Sequence, residues 1–140
     1  MPVPPEYERA SEQFYEFLIY ARDISGLSTT HQTYTMVQGV LQAFRRRLGI
    51  SDAIRFANIL PIALRALFIT DWDTDELIRP FQDRPTMTRE VQALRAEHNF
   101  SPDSAIRDVA CALRRYVDET AFDEMLSSLQ PGAVEFWNTR

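Results

Sequence analysis

Residues 37–48 read VQGVLQAFRRRL, a stretch whose large apolar side chains recur at spacings of three and four: Val37, Val40, Leu41, Phe44 and Leu48. This spacing predicts a helix that begins near residues 28–30 and buries one face. Gly49 is a typical helix stop, and Arg45, Arg46 and Arg47 fall in the last turn, where cations suit the helix dipole. Because three successive residues spread over about 200°, a solvated helix end is favoured over a site for a phosphate or an acidic partner.

The same helical periodicity continues upstream and downstream, and strand-like alternation is nearly absent. Pro5 opens a helix that runs to a stop at Gly26. Ser51 is expected to cap a short helix that ends near Asn58. Pro61 opens the next helix, because a proline in a helix interior costs about 3 kcal/mol. The pattern predicts an all-α fold, a compact bundle of about 7–8 helices in a single domain over residues 1–140.

Beyond Thr70 the helical pattern is interrupted and then resumes. Residues 71–86 contain two prolines and five acids, which predicts a connector with one turn of helix around Leu77. A helix through Met87 follows, and Ser101-Pro102-Asp103 is a strong signature for the start of the next helix. A short helix over about 120–129 and a last helix opened by Pro131 complete the chain.

The two halves of the chain resemble each other. Phe44-Arg45-Arg46 is matched by Leu113-Arg114-Arg115, and Ile59-Leu60-Pro61 by Leu129-Gln130-Pro131. The shared order of helix cap, double arginine and proline predicts two repeat units, approximately 6–72 and 87–140, joined by a connector at 73–86. A Pro-broken helix pair would close each half.

Composition excludes several classes of function. All 15 basic residues are arginine, so chemistry that needs a lysine, such as a Schiff base or a P-loop lysine, is ruled out. The net charge of −5 disfavours nucleic acid as a partner. A single cysteine rules out an intramolecular disulfide, and neither a signal peptide nor a membrane span is recognised. We therefore expect a cytoplasmic protein with no membrane partner.

Residues with catalytic or metal-binding potential are few. Asp71, Asp73 and Asp75 alternate as the first ligands of a calcium loop do, but the glycine and the bidentate glutamate of that loop are missing, so they are only a weak candidate. His31 and His98 lack neighbouring ligands, and Cys111 has no nearby base. We predict no catalytic residue, no metal and no cofactor.

Four residues form a candidate interaction surface: Trp72, Phe81, Arg45 and Arg46. The two aromatic residues lie in the connector, where large rings either pack back against the core, the more frequent outcome, or mark a contact surface.

The stretch from Val37 to Leu48, followed by Ala57-Asn58-Ile59-Leu60-Pro61 and Leu64-Arg65, resembles a bacterial family of uncharacterised proteins, domain of unknown function 2267. That family repeats the pattern L-x-x-L-x-x-R-L, a short helix, L-P-x-x-L-R and an aromatic stretch ending in tryptophan, here Phe68 to Trp72. The resemblance covers most of the chain from about Phe14. It implies an all-helical fold of two related units and no activity, so no site residue is carried over. Glu135 stands where the second copy would repeat Arg65, which departs from the pattern.

Two hypotheses of function follow. The leading one is a small non-enzymatic protein that acts through protein–protein interaction or self-association. The alternative is a helical bundle that binds a small ligand or a metal between its two halves, through carboxylates and arginines that the tertiary structure brings together.

Overall fold

The computed structural model describes residues 3–140, and all regular secondary structure in this range is helical. Nine α-helices follow one another: α1 (Pro5–Glu8), α2 (Ala10–Ser25), α3 (Thr30–Arg45), α4 (Ile50–Asn58), α5 (Ile62–Ile69), α6 (Arg84–Ala93), α7 (Ala105–Arg114), α8 (Glu119–Ser128) and α9 (Ala133–Phe136). The prediction of a compact all-α fold is confirmed. Within the described range, no helix combines the length and the apolar character needed to cross a bilayer.

Helix α3, which contains most of the stretch 37–48, lies at the centre of the bundle and packs against α2, α5, α6 and α7. Its first turn is closed by a capping box, in which Thr29 Oγ1 accepts the backbone N–H of Gln32 and the Gln32 side chain accepts that of Thr29. Helix α6 approaches α3 closely at Gly39, where a Cβ atom would lie 2.9 Å from both Cγ1 and the carbonyl oxygen of Val91. The glycine therefore sets the distance between these two helices.

A cluster of six aromatic rings fills the interior between helices from both sides of the connector. The aromatic cluster consists of Phe44, Phe56, Phe68, Phe122, Phe136 and Trp137, all essentially inaccessible to solvent. The Phe44 ring centroid lies 4.7 Å from that of Phe56 and 5.3 Å from that of Trp137. Residues 1–70 and 71–140 each supply three of these rings, so the two parts of the chain share one core.

Several predicted helix boundaries are confirmed. The single helix predicted from Pro5 to Gly26 is interrupted at Arg9 and forms α1 and α2, and three further local predictions are wrong. Gly26 ends α2 in the left-handed conformation at φ 79°, and Pro61 directly precedes α5. However, Gly49 and not Ser51 occupies the N-cap of α4, and the predicted helical turn around Leu77 is absent from the connector between α5 and α6. The connector therefore consists of residues 70–83, with irregular backbone, and residues 84–86 of the predicted connector belong to α6.

The third wrong prediction is the start of α7, which begins at Ala105 rather than after Ser101. The reason is that residues 99–101 form hydrogen bonds at the C-terminal end of α6. The Asn99 side chain donates to the carbonyl oxygens of Val91 (2.8 Å) and Leu94 (2.7 Å) and accepts the backbone N–H of Ser101 (2.9 Å). Residues 99–101 thus satisfy the last carbonyls of one helix before the next can begin.

Candidate functional site

The three arginines at the end of α3 have three different environments, and that of Arg47 is the most enclosed. Its side chain is fully buried. Nε donates to the Pro80 carbonyl (3.1 Å), Nη1 to Ala43 O (2.7 Å) and Glu90 Oε1 (2.9 Å), and Nη2 to Gln82 Oε1 (2.9 Å) and Glu90 Oε2 (2.5 Å). All five guanidinium N–H groups are therefore used, and Arg47 anchors the connector and α6 to α3.

Glu90 is the anionic centre of this network. Besides the bidentate pair with Arg47, its carboxylate lies 3.5 Å from Arg46 Nη1 and 3.4 Å from Arg79 Nη1. Burial alone would raise the pKa of Glu90, but the hydrogen bonds and charge of Arg47 and the charges of Arg79 and Arg46 outweigh it and hold that pKa below its ordinary value. Glu90 is therefore ionised and structural.

Arg45 is also buried, with only 4% of its surface exposed, but it is incompletely paired. Nη1 donates to the carbonyl oxygens of Phe68 (2.8 Å) and Thr70 (3.0 Å), at the end of α5. The Trp72 ring centroid lies 5.4 Å from the guanidinium carbon, a cation–π contact. Within residues 3–140, Nε has no hydrogen-bond partner and no carboxylate forms an ion pair with this side chain. Burial, followed by the charge of Arg46, lowers the pKa of Arg45.

A groove of about 400 Å³ opens beside Arg45 between the end of α3, the start of α4 and the connector. We call it the connector groove. Its apolar lining includes Leu48, Ile50, Trp72, Leu77 and Ile78. Three of these are strongly exposed, at 87% for Leu77, 58% for Ile78 and 50% for Ile50. Aliphatic side chains exposed together around a concave surface are typical of a contact site.

Acidic side chains surround the same groove. Asp73 and Glu76 line it, and Asp71 lies close enough to act on the charge of Arg45. Glu76 is held by Arg46 at 3.6 Å and by Arg79 at 3.3 Å, whereas Asp73 accepts the backbone N–H of Asp75 at 3.0 Å. The groove therefore has an apolar wall, an acidic rim and a cationic floor.

A family model described as an uncharacterized conserved protein, domain of unknown function 2267 (DUF2267), matches residues 14–136. The chain belongs to the DUF2267 family. No curated protein matches the sequence. The resemblance seen in the sequence is thus confirmed at the level of the family, which brings a description but no activity.

The residues predicted for an interaction surface in this DUF2267 chain separate into two places. Arg46 and Trp72 line the connector groove. Phe81 lies elsewhere: its ring packs against Phe44 at 5.9 Å and contacts the turn before α9, where a Cβ on Gly132 would lie 2.5 Å from it. The expectation that both connector rings pack back against the core is confirmed.

The interpretation of the arginine run as a solvated helix end is wrong. Arg45 and Arg47 are buried, and only Arg46 is partly exposed. The physical reason is that backbone carbonyls at the end of α5 and in the connector, together with Glu90, accept the hydrogen bonds that water would otherwise supply. Arg45 therefore belongs to the floor of the groove rather than to an exposed surface.

The structure does not gather the acidic or metal-ligating candidates into a site. Asp71, Asp73 and Asp75 do not converge, and across residues 3–140 no group of three or more His, Cys, Asp or Glu side chains is placed to hold a metal. His31 is exposed and stacks on Tyr34 at 6.4 Å, and Cys111 is half-buried.

Sequence reasoning missed the aliphatic part of the groove in this DUF2267 protein. Leu77 and Ile78 are adjacent apolar residues in an otherwise acidic, proline-bounded connector, a signal that could have been recognised. Ile50 gave no such signal, because the start of a helix is an ordinary place for an isoleucine. The Arg47–Glu90 pair, 43 residues apart, had none either.

Proposed function

We propose that this DUF2267 protein is a non-enzymatic interaction module that binds another protein through the connector groove and its rim. The observation that carries the proposal is the joint exposure of Leu77, Ile78 and Ile50 around one concave surface. Exposed aliphatic side chains of this size gain free energy when a partner removes them from water, about 25 cal/mol per Å² of apolar surface.

The charge of the rim indicates the chemistry of the partner. Asp73 and Glu76 line the groove, and Asp71 and Asp75 flank it in the connector. In a symmetric dimer formed through this face, the acidic rims would oppose each other, which is unfavourable. A different protein that presents apolar side chains flanked by arginine or lysine is complementary to it.

Four arginines that could bind a substrate have a structural role instead, which supports a function without catalysis. Arg47 uses all of its donors internally. Arg65 donates to three carbonyls at the end of α4, and Arg84 and Arg114 donate to carbonyls at the end of α9. These side chains complete helix ends, where backbone acceptors otherwise remain unsatisfied.

Affinity capture from a lysate of the source organism tests the proposal when it compares three forms of the immobilised protein. We expect the wild type and a Val134→Asp control, which changes an exposed residue outside the groove, to retain the same basic partner. Leu77→Asp should lose it without loss of fold, and raised salt should weaken it because the rim interactions are screened.

Size-exclusion chromatography with light scattering supplies the second arm. If the wild type forms a dimer that Leu77→Asp dissociates, the partner is a second copy of this chain rather than a different protein. That result would contradict the charge argument. A strict monomer at high micromolar concentration, with no capture that depends on Leu77, would overturn the proposal as a whole.

We also propose that residues 6–72 and 87–140 are two copies of one unit. In support, Arg45 and Arg114 each donate to a carbonyl 23 residues further along, that of Phe68 and that of Trp137. Helices α4 and α8, which start at Ile50 and Glu119, are offset by the same 69 positions as the two arginines. Superposition of the two units should overlay α3, α4 and α5 on α7, α8 and α9, and failure of that overlay would contradict duplication.

A further inference from the structure

Arg114, which stands in the second unit where Arg45 stands in the first, has anionic partners. Its Nη1 lies 3.0 Å from an Asp123 carboxylate oxygen and 3.8 Å from one of Glu119. Both acids belong to α8, the helix that follows Arg114. The charge of this guanidinium is therefore compensated from within the chain.

The first unit lacks these acids. The residues 69 positions before Glu119 and Asp123 are Ile50 and Ile54, which are 50% and 54% exposed. No ion pair within residues 3–140 involves Arg45, and its Nε is buried without a hydrogen-bond partner. A buried guanidinium without an ion-pair partner is unfavourable, because burial removes its hydration. The carbonyls of Phe68 and Thr70, the Trp72 ring and the charges of Glu76 and Asp71 replace only part of that hydration.

We propose that a ligand carboxylate completes this site: it binds Arg45 at the floor of the connector groove, and the apolar body of the same ligand packs against Ile50, Leu77 and Trp72. The ligand shares Leu77 and Ile50 with the protein partner proposed above, but its carboxylate rests on Arg45, so failure of octanoate to bind would leave the protein partner in place. The site is expected to bind one class of ligand, a monocarboxylate with an apolar chain.

The hydrogen-bond geometry of Arg45 suits a carboxylate. Both hydrogen bonds that the side chain makes within the described residues leave from Nη1. Nε is buried, whereas Nη2 makes no hydrogen bond within the described residues and is the donor left for a carboxylate oxygen. The groove volume of about 400 Å³ lies in the range of small-molecule sites, and its aliphatic lining suits a short hydrocarbon.

The acidic rim restricts the charge of the ligand. Glu76 is engaged by Arg46 and Arg79, but Asp73 lines the groove without an arginine partner in the described range. A dianion or a phosphate would bring additional negative charge against these carboxylates, whereas a monocarboxylate places its only charge on Arg45. We therefore expect selection for a single negative charge.

Isothermal titration calorimetry on the full chain with octanoate tests the site, with octan-1-ol as the probe that lacks the charge. We expect octanoate to bind, octan-1-ol to bind at least tenfold more weakly, and Arg45→Gln to weaken octanoate binding by about tenfold or more. Arg55→Gln is the control, because Arg55 lies on α4, pairs with Asp52 and does not line the groove. This variant should retain octanoate binding within about twofold.

A second variant keeps the proposal testable if Arg45→Gln, which removes two hydrogen bonds to α5, does not fold. Ile50→Glu introduces at the exposed rim the acid that the second unit has at Glu119. We expect it to raise the Tm and to abolish octanoate binding, because the internal carboxylate occupies Arg45. Ile50→Gln loses the same apolar contact without adding a charge, so it should weaken octanoate binding far less than Ile50→Glu does and leave the Tm unchanged.

A third probe distinguishes a free carboxylic acid from the C-terminus of a protein. It is a tripeptide with a capped N-terminus that ends in leucine, with either a free carboxylate or an amide. Preference for octanoate identifies a free acid, and preference for the peptide acid identifies a protein C-terminus; both support the site. The proposal is overturned if neither carboxylate binds at millimolar concentration, if octan-1-ol binds as well as octanoate, or if Ile50→Glu binds octanoate as the wild type does.

Discussion

Replacement of Arg47 by methionine removes a side chain whose five N–H groups are all hydrogen-bonded. Arg47 is fully buried, and its partner Glu90 has a side chain only 15% exposed. Loss of one member of a buried ion pair destabilises proteins by about 3–5 kcal/mol, because the remaining charge stays buried without its partner. Arg46 and Arg79 remain within 3.5 Å of the Glu90 carboxylate, so we expect the lower end, about 3 kcal/mol.

For a chain of this size, about 3 kcal/mol corresponds to a decrease in Tm of about 10 °C. Urea unfolding followed by circular dichroism measures the free energy, and calorimetry measures the Tm. Arg89→Met is the matched control, because Arg89 lies on α6 beside Glu90 but is exposed. This control should change the free energy of unfolding by no more than about 0.5 kcal/mol.

A double replacement distinguishes an unpaired charge from lost packing. If the penalty arises from the isolated carboxylate, Arg47→Met combined with Glu90→Met should be more stable than Arg47→Met alone. A loss below about 1 kcal/mol in the single variant, or equal losses for Arg47→Met and Arg89→Met, would refute this account of the network.

Two further perturbations follow from the same packing. Because the pKa of Glu90 in the folded protein lies below its ordinary value of 4.5, its contribution to stability is complete above that pH and is lost as the pH falls through the lowered value. Between pH 7 and pH 3 the urea midpoint should therefore decrease less steeply in Glu90→Gln than in the wild type. Parallel plots of midpoint against pH would contradict the lowered pKa of Glu90. Gly39→Ala should destabilise by about 1–2 kcal/mol despite the better helix propensity of alanine, because its Cβ would meet the Val91 backbone; an increase in the urea midpoint would show that α6 moves away freely.

The sequence predicted those helices and helix ends that depend on residues close to one another in the chain. Periodicity over residues 37–48 identified the central helix, and Gly26 and Pro61 marked boundaries because their backbone preferences act locally. The start of α7 was mispredicted because two local signals compete at one place. Ser101 has the properties of a cap, but the Asn99 side chain accepts its backbone N–H while donating to the last carbonyls of α6.

The candidate site was predictable only in part. Arg46 and Trp72 were selected as residue types that often make contacts, and they line the groove. The burial of Arg47 depends on Glu90, and that of Arg45 on carbonyls more than 20 residues away, which no spacing in one sequence reveals. Leu77 owes its exposure to the irregular path of the connector, and that path is itself set by the bonds of Arg47 to Pro80 and Gln82.

The bonds from arginine side chains to helix ends have a consequence for how the protein unfolds. Helix α9 has four residues and α5 eight, both too short to persist alone in water. Arg84 on α6 and Arg114 on α7 hold the end of α9, and Arg45 on α3 holds the end of α5. Fraying of either short helix therefore breaks contacts in a central one. We expect their amide protons to exchange with solvent through global opening of the bundle rather than through local fluctuations.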